Sequence, residues 1–249
     1  MMNDPFARTR SFLGDSHFER FSRSSATIVG IGAVGGHAAE ALVRAGITSL
    51  RLVDFDLVQI SNINRQIMAL HSTIGQPKVE AARQRLLDIN PNCTIEAMEL
   101  FCDDESSKEI LSPRPDLLID CIDSLNPKCQ LLVAAAELQL PTLSSMGAAL
   151  RSDPTKIQVA DIMESNHCPL AKRVRKFLRR RGVAGGIDCV YSSERVEFDY
   201  PQPAEEEPPA TEHAKRGRKR NTLASLPTLT GIFGLTLANE AILRLSRKK

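Results

Sequence analysis

The strongest constraint on this chain lies in residues 26–66, ATIVGIGAVGGHAAEALVRAGITSLRLVDFDLVQISNINRQ. An apolar run, Ala26 to Val29, ends on the glycines Gly30, Gly32, Gly35 and Gly36. A helical pattern follows. A second apolar run, through Leu50, Leu52 and Val53, then closes on Asp54 and Asp56. Strand, glycine turn, helix, strand, acid is the order of a nucleotide-binding βαβ unit. The glycines permit a tight turn and close approach of backbone to phosphate. The helix that follows offers unpaired N–H groups and the positive end of its dipole. Asp54, about 24 residues after Gly30, falls where a ribose hydroxyl is read. A glycine pattern alone is a weak signal; in this frame it points to a nucleotide.

Strand and helix signals go on alternating. Pro77 to Leu87 reads as a helix with proline in its first turn. Thr94 to Met98 reads as a strand, and Asp103 to Leu111 as a helix opened by acids. Pro115 to Asp123 reads as a buried strand ending in Asp123, Lys128 to Leu138 as a helix, and Pro141 to Ser145 as a strand. The expected fold is α/β: a Rossmann-like, doubly wound, mainly parallel sheet with helices on both faces. A C-terminal extension of short strands and a terminal helix follows. The ligand is expected beyond the carboxyl ends of the strands.

The division expected along the chain is an N-terminal helical arm at 1–25, a nucleotide-binding core at 26–150 and an extension at 151–249. The spacing of Phe18 and Phe21 suits a short helix in the arm. In the extension, Lys156 to Ile162, Ile187 to Tyr191 and Arg195 to Phe198 read as strands. Residues 169–181 read as a helix dense in Lys and Arg, 201–222 as a flexible loop with acidic and basic blocks, and 228–246 as a terminal helix. Leu223 to Leu245 is apolar enough to raise a membrane span. Pro227, Asn239, Glu240 and Arg244 favour a buried helix instead.

The net charge of +2 excludes a global polyanion-binding signature and leaves only local basic clusters. No secretory leader is expected at the N-terminus. The six cysteines include no C-x-x-C pair, so a zinc site of paired thiolates is not expected. A reduced, cytoplasmic protein is.

No G-x-x-x-x-G-K-[ST] loop is present, so phosphate-binding cations must come from elsewhere. Arg65 and Lys78 can reach the crevice of the glycine turn. Asp123 suits Mg2+ beside phosphate oxygens, because Mg2+ takes few carboxylates together with phosphates and waters. Asp54 suits the ribose, and Asp56 ribose or metal. Each has an ordinary structural alternative: a solvated lysine, or a capping Asp. Their convergence at one sheet edge favours a site.

Gly30-Ile31-Gly32-Ala33-Val34-Gly35, Val53-Asp54-Phe55-Asp56, Ser61-Asn62-Ile63-Asn64-Arg65-Gln66, Gly75-Gln76-Pro77-Lys78-Val79-Glu80 and Asp120-Cys121-Ile122-Asp123 resemble, in order, the ThiF/MoeB/HesA family of ATP-dependent adenylating enzymes related to ubiquitin activators. The resemblance implies ATP and Mg2+, with AMP transferred to a carboxylate. By it, Gly30, Gly32 and Gly35 pack on the nucleotide, Asp54 holds the ribose, and Asn64, Arg65 and Lys78 bind phosphates. Asp123 binds Mg2+. An N-terminal arginine, Arg8 or alternatively Arg10, reaches the γ-phosphate of a partner subunit in a homodimer. Residues 119–128, 153–159, 165–171, 186–194 and 231–234 are similar to the branch of tRNA threonylcarbamoyladenosine dehydratases. That branch implies tRNA carrying threonylcarbamoyladenosine as substrate and a cysteine-desulfurase sulfur-transfer system among the partners.

Such a substrate needs a basic surface. Lys172, Arg173, Arg175, Lys176, Arg179, Arg180 and Arg181 supply one, with Arg173, Lys176 and Arg180 expected to bind tRNA; 215–220 forms a second. The plain alternative is a solvated helix face. Cys189 is either a nucleophile or a small buried hydrophobe. Two other readings stay open: an activator of a ubiquitin-like sulfur carrier, and a non-enzymatic or NAD-binding Rossmann module.

Overall fold

In the computed structural model, which describes residues 4–196 and 223–247, the chain forms a seven-stranded sheet of order β3-β2-β1-β4-β5-β7-β6. The strands are β1 (Ser25–Val29), β2 (Ser49–Val53), β3 (Thr94–Met98), β4 (Leu117–Asp120), β5 (Thr142–Ser145), β6 (Ile157–Asp161) and β7 (Asp188–Ser192). All neighbours pair parallel except β6, which runs antiparallel to β7. The order reverses between β1 and β4. That is the point where a crevice opens at the carboxyl ends of the strands.

Side chains alternate across the sheet. Ile28, Leu52 and Ile119 enter the core beneath α3 (Gly35–Ala45), α4 (Lys78–Ile89) and α8 (Pro227–Arg247). Val29, Val53 and Leu118 enter the opposite core beneath α5 (Ser106–Ile110) and α6 (Leu125–Glu137). Burial on both faces is why these strands read as continuous apolar runs. A third cluster joins Cys129 and Leu132 of α6 to Ala171, Val174 and Leu178 of α7 (Pro169–Arg180) and to Cys189 and Tyr191 of β7. The extension thus continues the sheet and covers it.

α8 buries Leu229, Phe233, Leu237, Ala241 and Leu245, every fourth residue of one stripe. Its Gly234 lies so close to α3 that a Cβ there would stand 2.4 Å from the Val34 carbonyl oxygen. The C-terminal helix therefore braces the N-terminus of α3. No helix among the described residues is long and apolar enough to cross a membrane.

Several boundaries differ from the sequence reading. The arm holds two helices, α1 (Ala7–Leu13) and α2 (Asp15–Arg23), broken at Gly14, whose φ is +80°. Helix α5 is shorter than 103–111, because Asp103 turns its carboxylate onto the N–H groups of Glu105 and Ser106 and stops the helix extending backwards. Strand β4 ends at Asp120 rather than Asp123; an Asp120 oxygen accepts the Ile122 N–H and turns the chain. Helix α6 starts at Leu125 rather than Lys128, with Pro127 in its first turn, where no N–H is needed. Arg195 and Val196 carry no strand. The other half of that expected strand, and the basic block 215–220, lie outside the described residues.

Candidate active site

The four glycines of the turn have different tasks. Gly30 has φ +92°, and a Cβ on it would stand 2.8 Å from the carbonyl carbon of Cys121. A Cβ on Gly35 would meet the Gly30 carbonyl oxygen at 1.9 Å. Both positions are glycine because the turn packs on itself and on the exit of β4. One on Gly36 would press on Ile67 at 3.2 Å. At Gly32 the nearest atom is Gln66 Nε2, 3.8 Å away. Gly32, at the N-terminus of α3, is thus the one of the four where the backbone is not closed over by its neighbours.

Asp54, at the exit of β2, is buried. One of its oxygens accepts the Ile31 N–H at 2.7 Å and the other the Asp56 N–H at 2.9 Å. The acid therefore ties the glycine turn to β2. Burial pushes its carboxyl up from the ordinary value, against the pull of the Lys78 charge. Lys78, the first residue of α4, is only 6% exposed, and its Nζ donates to Asp56 Oδ2 at 2.7 Å. Burial alone would lower its pKa. The charges of Asp54, Asp56 and Asp123, with the hydrogen bond to Asp56, outweigh that and raise it. A cation held fully charged among three carboxylates is suited to phosphate, which brings further negative charge to the same point.

The segment 59–68 runs over the start of α3. A 3-10 turn at Ile60–Asn62 is fixed by the Asn62 side chain, which accepts the Gln59 N–H. Arg65 donates to Asn64 Oδ1 at 2.8 Å and to the Ser61 carbonyl at 3.1 Å. Asn64 and Arg65 so form one polar head beside Gln66, the residue nearest Gly32. Asp123 is exposed beyond β4, with the Ser124 hydroxyl donating to it at 3.3 Å. Its charge reaches Lys78. The turn glycines, Asp54, Asp56 and Lys78 thus gather at the carboxyl ends of β1 and β2, with Asp123 beyond β4 close enough to act on Lys78; Asn64 and Arg65 lie on the neighbouring segment, bonded to each other and to Ser61.

Arg8 does not join them within one chain. Helices α1 and α2 sit near Gly46, at the far end of α3, where a Cβ would meet Phe18 at 3.0 Å and Phe6 at 3.2 Å. Arg8 is exposed there, whereas Arg10 binds Asp4 and stacks on Phe18 at 4.2 Å.

On α7, Lys172, Arg173, Lys176, Arg179 and Arg180 are exposed. Arg175 turns inward to the Ser165 carbonyl at 2.7 Å and to the Ser165 hydroxyl. It anchors the loop before α7 and is not part of the basic face. Cys189 is fully buried, and burial pushes its thiol up to about 12. Its thiolate is therefore scarce at neutral pH, which favours the packing role.

Sequence reasoning gave three residues no role of their own. Gln66 reaches Gly32 only through the fold. Arg151 is buried, spans from the Glu194 carbonyl to the His167 carbonyl, and leaves its Nε without a partner. Lys128, read as a helix start, is fully buried against Asp120. Its signal was the acid–x–x–acid run followed by a lysine within a turn or two, which spacing alone could not assign.

A model of the ThiF family matches residues 6–249. The chain belongs to the ThiF family. A Bacillus subtilis relative called tRNA threonylcarbamoyladenosine dehydratase is 40% identical over 189 residues, 76% of this chain and 74% of that protein. Dehydratase 2 of Saccharomyces cerevisiae is 35% identical over 249 residues, and this chain spans only 55% of its length. Among solved structures, the Escherichia coli tRNA N6-threonylcarbamoyladenosine dehydratase, crystallised in complex with ATP, superposes with a TM-score of 0.85 at 31% identity, covering 98% of this chain and 94% of that one. Family membership accounts for the order of the five motifs, and the Rossmann-like architecture expected from them is the one observed.

Proposed function

We propose that this family member is an ATP-dependent dehydratase of the threonylcarbamoyl group on a tRNA adenosine. The observation that carries the reading is the end-to-end likeness, in sequence and fold, to a dehydratase crystallised with ATP, extending through β6, β7 and α8 beyond the nucleotide core. A Rossmann module devoted to NAD would have no evident use for Lys78 held charged among three carboxylates beside the turn.

The surface over Gly32 is open for a nucleotide, and the groups around it fit one. Asp54 offers its remaining lone pairs to a ribose; Asn64, Arg65 and Lys78 face the phosphates. Among the described residues no cluster of three or more His, Cys, Asp or Glu side chains suits a metal. The exposed Asp123 fits Mg2+ shared with phosphates and water. When bound, the metal would spread the charge of the phosphates during transfer.

A carboxylate is a poor electrophile, and AMP transfer from ATP makes its carbonyl reactive while pyrophosphate leaves. The carbamoyl group of the same substituent then attacks that carbonyl. AMP departs and a ring closes with net loss of water. Attack within one substituent has a high effective concentration and asks for no enzyme nucleophile, in keeping with the buried Cys189. The exposed Lys and Arg of α7 would hold RNA phosphates. Because Arg8 stands away from its own crevice, its role at phosphate requires a second copy of the chain.

The test is to incubate the protein with ATP, Mg2+ and tRNA bearing the linear modification and to measure nucleoside mass. Loss of one water is expected. Unchanged tRNA, together with AMP transfer onto a carrier protein ending in Gly-Gly, would replace this reading with a sulfur-carrier activator.

A further inference from the structure

The floor of the crevice contains a charge pair that the reaction as described does not use. Lys128 and Asp120 are both completely buried, with Nζ 2.5 Å from Oδ2. Nζ also donates to the Ser144 hydroxyl at 3.3 Å and to the Ser145 carbonyl at 3.0 Å, and the Ser144 hydroxyl donates back to Asp120 Oδ2 at 2.6 Å. The other carboxylate oxygen, Oδ1, accepts the Ile122 N–H at 3.0 Å. One cluster so joins the exit of β4, the first turns of α6 and the exit of β5.

A pair buried this deeply is a poor device for stability, since desolvating both charges offsets most of their attraction and an apolar pair of similar volume packs as well. What an apolar pair lacks is direction. Asp120 holds the turn Cys121–Ile122 through Oδ1. Cys121 is the residue on which Gly30 and Gly35 close, with its backbone 2.8 Å from a Gly30 Cβ position. Asp123 follows directly. The pair therefore fixes the backbone turn that lies beneath the glycine turn and leads directly into Asp123.

We infer that Lys128, through Asp120 and Ser144, is a positioning residue that aims Asp123 at the Mg2+ of the bound nucleotide. This rests on the reading of Asp123 as the metal-binding acid. Residues that orient a metal-binding side chain are worth about 10–100-fold in metal affinity, and an effect of that order is expected here.

The experiment measures ATP binding by calorimetry across a Mg2+ titration and in EDTA, with a thermal melt of each protein. In Lys128→Met the Mg2+ needed for half-maximal enhancement of ATP binding should rise about tenfold or more, a larger change than any loss of ATP affinity in EDTA. Ser144→Ala leaves the ion pair in place and should shift the Mg2+ requirement the same way by less; it carries the test if Lys128→Met does not fold. A lowered melting temperature with an unchanged Mg2+ requirement in the folded variants would reduce the cluster to a structural one and overturn the inference. Asp123→Asn is run in parallel. If it abolishes the Mg2+ effect while Lys128→Met and Ser144→Ala leave it intact, only the positioning role falls. If Asp123→Asn itself leaves the Mg2+ effect intact, the metal reading of Asp123 falls, and the inference with it.

Discussion

Replacing Lys78 with methionine tests the lysine's work in the fold, apart from its proposed role at phosphate. The variant keeps the length and apolar stem of the side chain and removes a cation that is 6% exposed and 2.7 Å from Asp56. Breaking a buried ion pair from one side costs about 3–5 kcal/mol. The Asp56 side chain is 34% exposed, so water takes over part of its solvation and the lower end, about 3 kcal/mol, applies. The deficit depends on pH with a definite sign. The folded-state pKa of Lys78 is raised, so its stabilisation is fully present below its unfolded pKa and is lost as pH rises through the folded one. The pKa of Asp54 is also raised, by burial, so its contribution likewise favours the fold below its unfolded pKa and fades as pH rises through the folded value. Without Lys78 that burial penalty is unopposed, and the carboxyl pKa rises further. The difference between wild type and Lys78→Met should therefore be largest near neutrality and shrink as pH falls through the carboxylate range, where the raised carboxyl of Asp54 takes up a proton in both proteins. Urea midpoints at about pH 8 and about pH 4.5 bracket that range. A deficit below about 1 kcal/mol, the scale of an exposed pair, or one independent of pH, would refute the account of Lys78 as a buried, compensated cation.

The glycine turn makes two opposite predictions. Gly35→Ala should destabilise by about 3 kcal/mol or more, because its Cβ would stand 1.9 Å from the Gly30 carbonyl oxygen, beyond ordinary overpacking. Gly32→Ala should change stability by no more than about 0.5 kcal/mol yet weaken ATP binding, by about tenfold for a clash of about 1.4 kcal/mol. Unaltered ATP affinity in calorimetry would move the nucleotide away from Gly32. On α7, the combined change Arg173→Glu, Lys176→Glu and Arg180→Glu should leave the urea midpoint in place. It should weaken tRNA binding and flatten its salt dependence by about one unit of slope for each phosphate left without its cation. Equal slopes in a filter-binding salt series would remove α7 from the RNA surface.

Much of the fold was readable in the chain because each parallel strand is buried on both faces. Val29, Val53 and Leu118 had to be as apolar as their neighbours, so the runs stood out and the glycine turn marked where the first one stopped. Ends of elements were read less well. Nothing local told that Asp120 would turn its carboxylate onto the Ile122 N–H and end β4 there, or that Asp103 would stop α5 from extending backwards. These are side-chain bonds to backbone, and they compete with the pattern of apolar residues on which the reading rests. In the basic helix the sequence offered Arg175 to the same basic surface as the other cations, although it is spent on Ser165.

The sequence by itself determined the βαβ frame, the crevice at the strand ends and the set of polar residues gathered there. Their spacing after strand signals is a property of the chain, and so is the order of motifs that marks the ThiF family. Tertiary structure alone decided what each one does. It closed Gly30 and Gly35 into the turn and left Gly32 uncovered. It buried Lys78 among three acids, set Arg8 at the far end of α3, and joined Asp120 to Lys128 beneath Asp123. The physical reason is that periodicity records which side of an element faces the core, whereas the charge and reach of a side chain at a site depend on neighbours that lie far away in sequence.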